Sequence, residues 1–316
     1  MALSDIAGKE LNIGSVTWGN LVWLNIEKPT QREIEYLGQN YPFHPLDLDD
    51  CLSRIQRPKI DEYEDEGYLF LVFHFPVFHK EARVSHPSQV SIFLGADYLI
   101  SLHQGDLKPL VKMFRDCELN ERAREDYMGQ SSSHLLYHIL DRLVSYCFPM
   151  LNKIGANIEA VEDDVFTKPV PKTVQEILVI KRDLVSFRRI MRPQIAVLDS
   201  LEEQKWAFFK NGMDVYFGDI GDHLDKIWDM LEDYRELVDN LSDASDRLTS
   251  HRVQEVMRVL AILAACATPF VIIAGIYGMN IPLPLGDSSL GLPILIVIML
   301  CTISLMLFIF RRKRWI

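Results

Sequence analysis

The sequence predicts an α/β N-terminal cytoplasmic domain, then a long helical stalk, then two C-terminal transmembrane helices. Three observations predict this. Residues 1–105 hold short β-branched and aromatic runs bounded by turn residues. Further on, apolar residues recur with a heptad period through a stretch without Gly or Pro. Finally, two long uncharged runs end at Arg311-Arg312-Lys313-Arg314.

Strands are expected at Leu21–Ile26, Tyr68–Phe78, Val90–Leu94 and Tyr98–Leu102. Helices are expected at Gln31–Gly38, Leu46–Ser53 and Leu107–Phe114. After residue 130 the character changes. Ser131–Val165 and Thr173–Phe209 read as two long helices joined near Pro169-Val170-Pro171, the first capped by Ser132 or Ser133. The expected division is 1–130 cytoplasmic α/β domain, 131–257 stalk and 258–316 transmembrane domain, with spans at about 258–277 and 291–310.

The third long helix starts near Met213. Leu224, Leu231 and Val238 recur by seven, as do Ile227, Tyr234, Leu241 and Leu248 three residues later. No Gly or Pro interrupts 222–268, so this helix is expected to run straight into the first span. It also carries an acidic ladder: Asp222, Asp225, Asp229, Glu232, Glu236, Asp239, Asp243 and Asp246. Steps of three and four place these on one face, roughly opposite the apolar stripe. A solvated face is the plain reading. A ring of such helices would instead make an acidic funnel that concentrates divalent cations.

No charge occurs between Arg258 and Asp287, or between Asp287 and Arg311. Each interval exceeds the ~20 residues that cross a bilayer as a helix. The first span is rich in small residues (Ala261, Ala264, Ala265, Ala267, Gly275) and holds Pro269. The second, about Leu292 to Phe310, is bulkier. The cluster Arg311, Arg312, Lys313 and Arg314 should stay cytoplasmic, which puts both termini on that side of the plasma (inner) membrane. Two spans cannot enclose a pore, so transport would need a ring of subunits with the small-residue helix innermost.

The charge distribution agrees. Residues 251–316 hold six basic groups against Glu255 and Asp287, so the whole-chain charge of −11 leaves −15 on residues 1–250. Such a body repels nucleic acid and favours cations. The five cysteines show no CxxC spacing, so neither a disulfide frame nor a zinc site is expected. Met1-Ala2-Leu3-Ser4-Asp5 begins no signal peptide pattern. There is no phosphate loop, HExxH or GxSxG, so no enzyme is expected. His134 and His138, four apart, offer a metal pair without a third ligand.

The first span ends in Tyr277-Gly278-Met279-Asn280, a glycine-marked helix end with one carboxamide where membrane meets water. With a second span and the Arg311–Ile316 terminus after it, this YGMN resembles the CorA-type magnesium/cobalt transporters, the GMN-motif channel superfamily. The stretches 254–260, 273–276, His44-Pro45-Leu46-Asp47-Leu48-Asp49-Asp50 and Gln56-Arg57-Pro58-Lys59 resemble the same family.

The resemblance implies a funnel-shaped homopentamer in the lipid bilayer that admits Mg²⁺, and also Co²⁺ or Ni²⁺, with no cofactor beyond the ion as substrate and regulator. Tyr277, Gly278, Met279 and Asn280 would form the outer filter. Gln254, Met257, Leu260, Ala264, Thr268 and Val271 would line the pore and its apolar gate. Asp50, with Asp49 beside it, and Asp219 of a neighbour would bind a regulatory ion, and Asp141 would serve a second site. The chain departs from the family after Asn280: Ile281-Pro282-Leu283-Pro284-Leu285-Gly286-Asp287 holds one acid where many relatives have an MPEL-like acidic loop. Val271 stands where some relatives have Thr. A ZntB-like zinc transporter of the same superfamily is therefore the alternative. A membrane-anchored acidic scaffold without transport is the reading from a different class.

Overall fold

The structure is a computed structural model that describes residues 11–53, 56–167, 170–203, 206, 209, 212–279 and 291–313. The chain divides into two compact units, Met1–Ser242 and Asp243–Ile316.

In the first unit, six strands form one sheet in the order β1-β2-β6-β5-β4-β3. They are β1 (Ile13–Trp18), β2 (Leu21–Glu27), β3 (Lys59–Tyr63), β4 (Tyr68–His79), β5 (Val84–Gly95) and β6 (Tyr98–His103). Only the β2–β6 pair is parallel. The crossover to that pair starts with α1 (Gln31–Asn40) and α2 (Pro45–Leu52). The fully buried run Tyr68–Phe73 explains why the centre of β4 reads as continuous apolar sequence: the sheet is covered on both faces. Tyr68, Phe70 and Val72 share a core with Ile34 and Leu37 of α1 and Leu48 and Cys51 of α2. The other face packs against α5 (Ser132–Ser145) and α7 (Val170–Glu203).

Local chemistry fixes the ends. Glu33 accepts the backbone N–H of Thr30 at 2.9 Å and of Asn12 at 3.2 Å. Burial opposes this charge, but the hydrogen bonds win and hold the Glu33 carboxyl below its ordinary value. His44 caps α2 by accepting from Leu46 N at 3.2 Å, with Pro45 in the first turn. Asp183 of α7 accepts the backbone N–H of Ser85 at 2.6 Å, tying that helix to β5.

Several expectations are corrected. β1 and β3 were not expected, and β5 begins at Val84 rather than Val90. α3 (Lys108–Leu119) runs five residues past the expected end, and α4 (Glu121–Met128) follows it. The single helix 131–165 is two, α5 and α6 (Cys147–Thr167), because Pro149 lacks the N–H that a continuous helix needs and sits well in a first turn. The cap of α5 is Ser131, which accepts from His134 N at 3.3 Å, while Ser132 and Ser133 are buried. α7 stops at Glu203 instead of reaching Phe209. Beyond it, Trp206 is buried and Phe209 stacks on Phe217 at 5.5 Å, and Gly212 has φ +89°. The expected join at Pro169 lies outside the described residues.

α8 (Met213–Tyr277) is one helix of 65 residues, on the order of 98 Å at ~1.5 Å per residue. It contributes to both units. Its buried stripe in the first unit is Met213, Phe217, Ile220, Leu224, Ile227, Leu231 and Val238. Four of the heptad positions read from sequence, Leu224, Ile227, Leu231 and Val238, are in it, while Tyr234, Leu241 and Leu248 are half-buried. α9 (Gly291–Arg312) completes the second unit.

Candidate functional site

The site residues fall into a lysine-centred cluster, an imidazole-bearing cluster with an acidic groove, and one face of α8. The first cluster lies at the foot of α2. Asp47 is 1 % exposed and accepts from the Tyr68 hydroxyl at 3.2 Å. Lys59 Nζ stands 3.9 Å from Asp47, 2.8 Å from Asp50 and 2.5 Å from Asp61. The other Asp50 oxygen accepts from Gln56 Nε2 at 2.7 Å. Burial works against the Lys59 ammonium, but Asp50 and Asp61 outweigh it and push its pKa well above the ordinary value. Burial lifts the Asp47 carboxyl despite the opposing Tyr63 and Lys59. Asp49 is exposed. Asp50 is thus already held by an ammonium and a carboxamide of its own subunit.

The second cluster joins α5 to α8. One ligand atom each from Asp141, Asp219 and His223 lies within 4.8 Å of the others. Burial, then the Asp141 and Asp219 carboxylates, raises the Tyr137 hydroxyl pKa. Beside this cluster, a groove of about 550 Å³ runs between α7 and α8, lined by Asp199, Glu202, Asp214, Asp219, Asp222 and Asp225, with no basic residue among the described residues of its lining. Gly218 and Gly221 let the Glu202 carboxylate lie against α8: a Cβ at Gly218 would sit 3.2 Å from Glu202 Oε1. The expected partners Asp50 and Asp219 therefore sit in different clusters of one chain.

The acidic ladder is corrected in part. Glu232 accepts from Arg188, and Asp239 pairs with Lys181 at 2.8 Å. Two of its eight rungs are thus paired with basic side chains of α7 while remaining partly exposed. Asp222, Asp225, Asp229, Glu236, Asp243 and Asp246 are exposed. The metal pair His134 and His138 is also corrected. His134 Nδ1 bonds Ser131 Oγ at 2.8 Å and its ring meets Tyr216, while His138 packs on Tyr127.

In the second unit, Gln254, Met257, Leu260, Ala264, Thr268 and Val271 are all exposed. Within the span 258–277 of α8, the half-covered residues are Ile262, Ala265, Cys266, Pro269, Phe270 and Ile273. At ~100° per residue these two sets lie roughly opposite each other. Ala265, Pro269 and Ile273, with Thr268 and Ile272 beside them, share a groove with Thr302 and Met306, so the half-covered stripe faces α9 and Thr268 borders it. Pro269 removes a backbone donor, while the Thr268 hydroxyl bonds the Ala264 carbonyl at 2.7 Å. At the helix end, Gly278 N–H donates to Ala274 O at 2.9 Å and Met279 N–H to Ile276 O at 3.2 Å. A Cβ at Gly278 would crowd the Ala274 carbonyl at 3.0 Å, so the tight last turn favours glycine. Tyr277 is exposed. Arg311 and Arg312 end α9, and Lys313 follows in a turn. Asn280, Arg314 and the loop 281–290 lie outside the described residues.

The family model for the CorA-like Mg2+ transporter protein matches residues 18–312. The chain belongs to the CorA family. It is 32% identical over 305 residues to the cobalt/magnesium transport protein CorA of Thermotoga maritima, covering 95% of this chain and 83% of that one. The complete structure of the CorA magnesium transporter from Methanocaldococcus jannaschii matches with a TM-score of 0.82 at 22% identity, covering 99% of this chain and 94% of that one. The ZntB cytoplasmic domain from Vibrio parahaemolyticus matches with a TM-score of 0.61 at 16% identity, covering 73% and 88%, a likeness of fold alone.

The expected fold class therefore holds: an α/β soluble domain, a long helix and two apolar C-terminal helices. The protein is a membrane-located divalent cation transporter of the CorA family. Sequence reading missed His223 and Lys59. Asp219-x-x-x-His223 on a helix was the available signal for the first, since residues four apart share a face. Lys59 carried no signal of its own, because its three carboxylates come from α2 and from its own strand.

Proposed function

We propose that the protein is a Mg²⁺ influx channel, also passing Co²⁺ or Ni²⁺, that works as a homopentamer with both termini in the cytoplasm. The observation that carries this reading is the open face of α8. Met257, Leu260, Ala264 and Val271 lie on it, away from the stripe that α9 covers, with Thr268 at the border of the α9 groove. Five such faces turned to one axis would line a narrow, largely apolar pore. Met257 and Leu260 would form a constriction that closes by dewetting, with Gln254 as a polar ring below it.

Asn280, after the tight turn at Gly278, would present carboxamide oxygens to a hydrated ion. Mg²⁺ gives up water reluctantly, so neutral acceptors for its hydration shell suit capture and release. Entry needs no second energy source, since 100 mV is worth ~4.6 kcal/mol to a divalent ion. The names of the Thermotoga maritima and Methanocaldococcus jannaschii relatives support Mg²⁺ and Co²⁺ as cargo. The three-part division 1–130, 131–257 and 258–316 serves as sensor, funnel and pore.

On the cytoplasmic side, the exposed rungs and the acidic groove would concentrate cations. Asp219 of one subunit and Asp50, with Asp49, of the next would share a regulatory ion that holds the ring closed at high internal Mg²⁺. Because Lys59 already occupies Asp50, this contact would be made through the ion's water shell. The one-acid loop 281–287 favours a second reading, a ZntB-like zinc transporter.

The filter role is tested by Asn280→Ala. Loss of Mg²⁺ flux with an intact oligomer is expected. Wild-type flux would remove the filter and favour a scaffold that does not transport.

A further inference from the structure

β2 and β6 run parallel, and the chain leaves their carboxyl ends on opposite faces of the sheet. After β2 it passes to α1 and α2, whose Ile34, Leu37 and Leu48 pack with Leu24, Ile26 and Leu102. After β6 it passes to α3, whose Phe114 meets Trp23 of β2 edge-on at 5.0 Å. Trp23 and Leu24 are adjacent in a strand, so they point to opposite faces. In open α/β sheets such a divergence leaves a crevice beyond the strand ends, where ligands bind. A cavity of about 270 Å³ lies here, lined by Pro29 after β2 and by Gln104 and Asp106 after β6. Its floor exists because β4 and β5 run on past the end of β6, which pairs only with Val90–Leu94 of β5. The overhang brings His74, Ser88 and Gln89 into the lining.

We propose that this crevice binds a small organic cation, an alkylammonium, through Asp106, Gln89 and Ser88. Among the described residues of the lining, Asp106 is the only Asp, Glu, Lys or Arg, so the crevice disfavours anions. His74 and His103 add no positive charge near neutral pH, because burial holds both below the ordinary histidine value, His103 at about 4. An ammonium has three donors and no acceptor, and the lining offers acceptors. Asp106 takes one donor from Ser88 Oγ at 2.6 Å, and an ionised carboxylate has room for more. The Gln89 amide nitrogen donates to the Asp50 carbonyl at 3.1 Å and to Ser91 Oγ at 3.0 Å. Its Oε1 is enclosed with no hydrogen-bond partner among the described residues, which is costly. A small turn of that side chain would bring Oε1 to a donor in the crevice. A metal ion fits less well: among the described residues, three close ligand atoms meet at Asp141, Asp219 and His223 and not here. The volume lies just under the ~300–1,000 Å³ of ordinary ligand pockets, which limits the guest to a small molecule. Because Gln89 also holds the Asp50 carbonyl, an occupied crevice would bear on the segment that carries Asp50. That consequence rests on the regulatory reading above; the binding itself does not.

The test is calorimetric titration of the full-length protein in detergent with 1,4-diaminobutane. 1,4-Butanediol and succinate serve as the neutral and anionic probes of the same chain length. The diamine should bind the wild type saturably at one per subunit, and the other two should not. Asp106→Asn keeps an acceptor for Ser88 but removes the charge, and should weaken the diamine by roughly tenfold or more. Gln104→Trp, which fills the crevice from a half-buried position, should abolish binding while leaving the urea unfolding midpoint unchanged. No saturable binding to the wild type, equal binding of the diol, or preference for succinate would each overturn the proposal. So would wild-type affinity in Asp106→Asn, which would place the amine on the acidic helix faces instead. The readout needs no transport. Absent diamine binding beside normal Mg²⁺ flux thus counts against this site alone, and absent flux beside normal binding counts against the channel reading alone.

Discussion

The two carboxylate clusters of the soluble unit differ in what sits at their centre. Around Lys59, three carboxylates meet an ammonium built into the same chain. Around His223, two carboxylates meet a neutral-capable donor, next to a groove whose lining holds no basic residue among the described residues. A lysine-filled cluster is a strut: its charge balance is fixed at folding. An imidazole-bearing cluster has no such built-in ammonium among the described residues. The same residue type, aspartate, is structural in one place and a candidate sensor in the other. The difference lies in the third partner, not in the acids.

The largest expected effect tests whether acid sensitivity belongs to either cluster. His103 is buried, its Nδ1 accepting from Gly105 N–H at 3.0 Å and its Nε2 facing Asn25 Oδ1 at 3.0 Å. Burial holds its pKa down at about 4, against an ordinary value near 6.5. A histidine lowered on folding contributes stability that is present above pH 6.5 and lost as pH falls toward 4. The linkage is worth roughly 3 kcal/mol in full. His74 and His138, lowered by burial, add in the same direction. Asp47 behaves oppositely, because its raised pKa removes stability as pH rises through that value. Unfolding by urea at pH 7 and pH 4.5 should therefore show acid destabilisation that His103→Gln flattens. Acid destabilisation unchanged by that variant would move the effect to the clusters.

A smaller effect is expected from Lys59→Met. It leaves Asp47, Asp50 and Asp61 without their shared counter-charge and should cost about 2 kcal/mol, below the buried-pair range because the ammonium is partly exposed. Millimolar Mg²⁺ should restore part of the loss, turning the strut into an ion site. Unfolding curves with and without Mg²⁺ check this, and equal stability of variant and wild type would break the comparison. The smallest effect belongs to Lys181→Met, which frees the Asp239 rung. Both side chains are nearly half exposed, so less than about 1 kcal/mol should be lost in thermal unfolding. A larger loss would mean that α7 depends on the ladder for its position.

What the sequence made legible follows from the strength of each pattern. The run Tyr68–Phe78, the heptad of α8 and the uncharged intervals are long and one-sided, so they declared themselves. β3 did not, because Lys-Ile-Asp-Glu-Tyr at a sheet edge has no buried face to encode. α4, Glu-Arg-Ala-Arg-Glu-Asp-Tyr-Met, is short and buries only Met128. The break before α6 was written in Pro149 and went unread. At the candidate sites, single residues such as Asp50, Asp141 and Asp219 were legible through the family motifs. Their grouping was not, since it depends on which helices meet and on whether a lysine or a histidine completes the set.

The central claim is that this CorA-family chain passes Mg²⁺ down the membrane potential. Purified protein in liposomes, offered Mg²⁺, Co²⁺ and Zn²⁺ with and without a proton gradient, tests it most directly. Mg²⁺ uptake that depends on membrane potential and not on the proton gradient is predicted. Zn²⁺ uptake that requires the proton gradient, with no Mg²⁺ uptake, would contradict it.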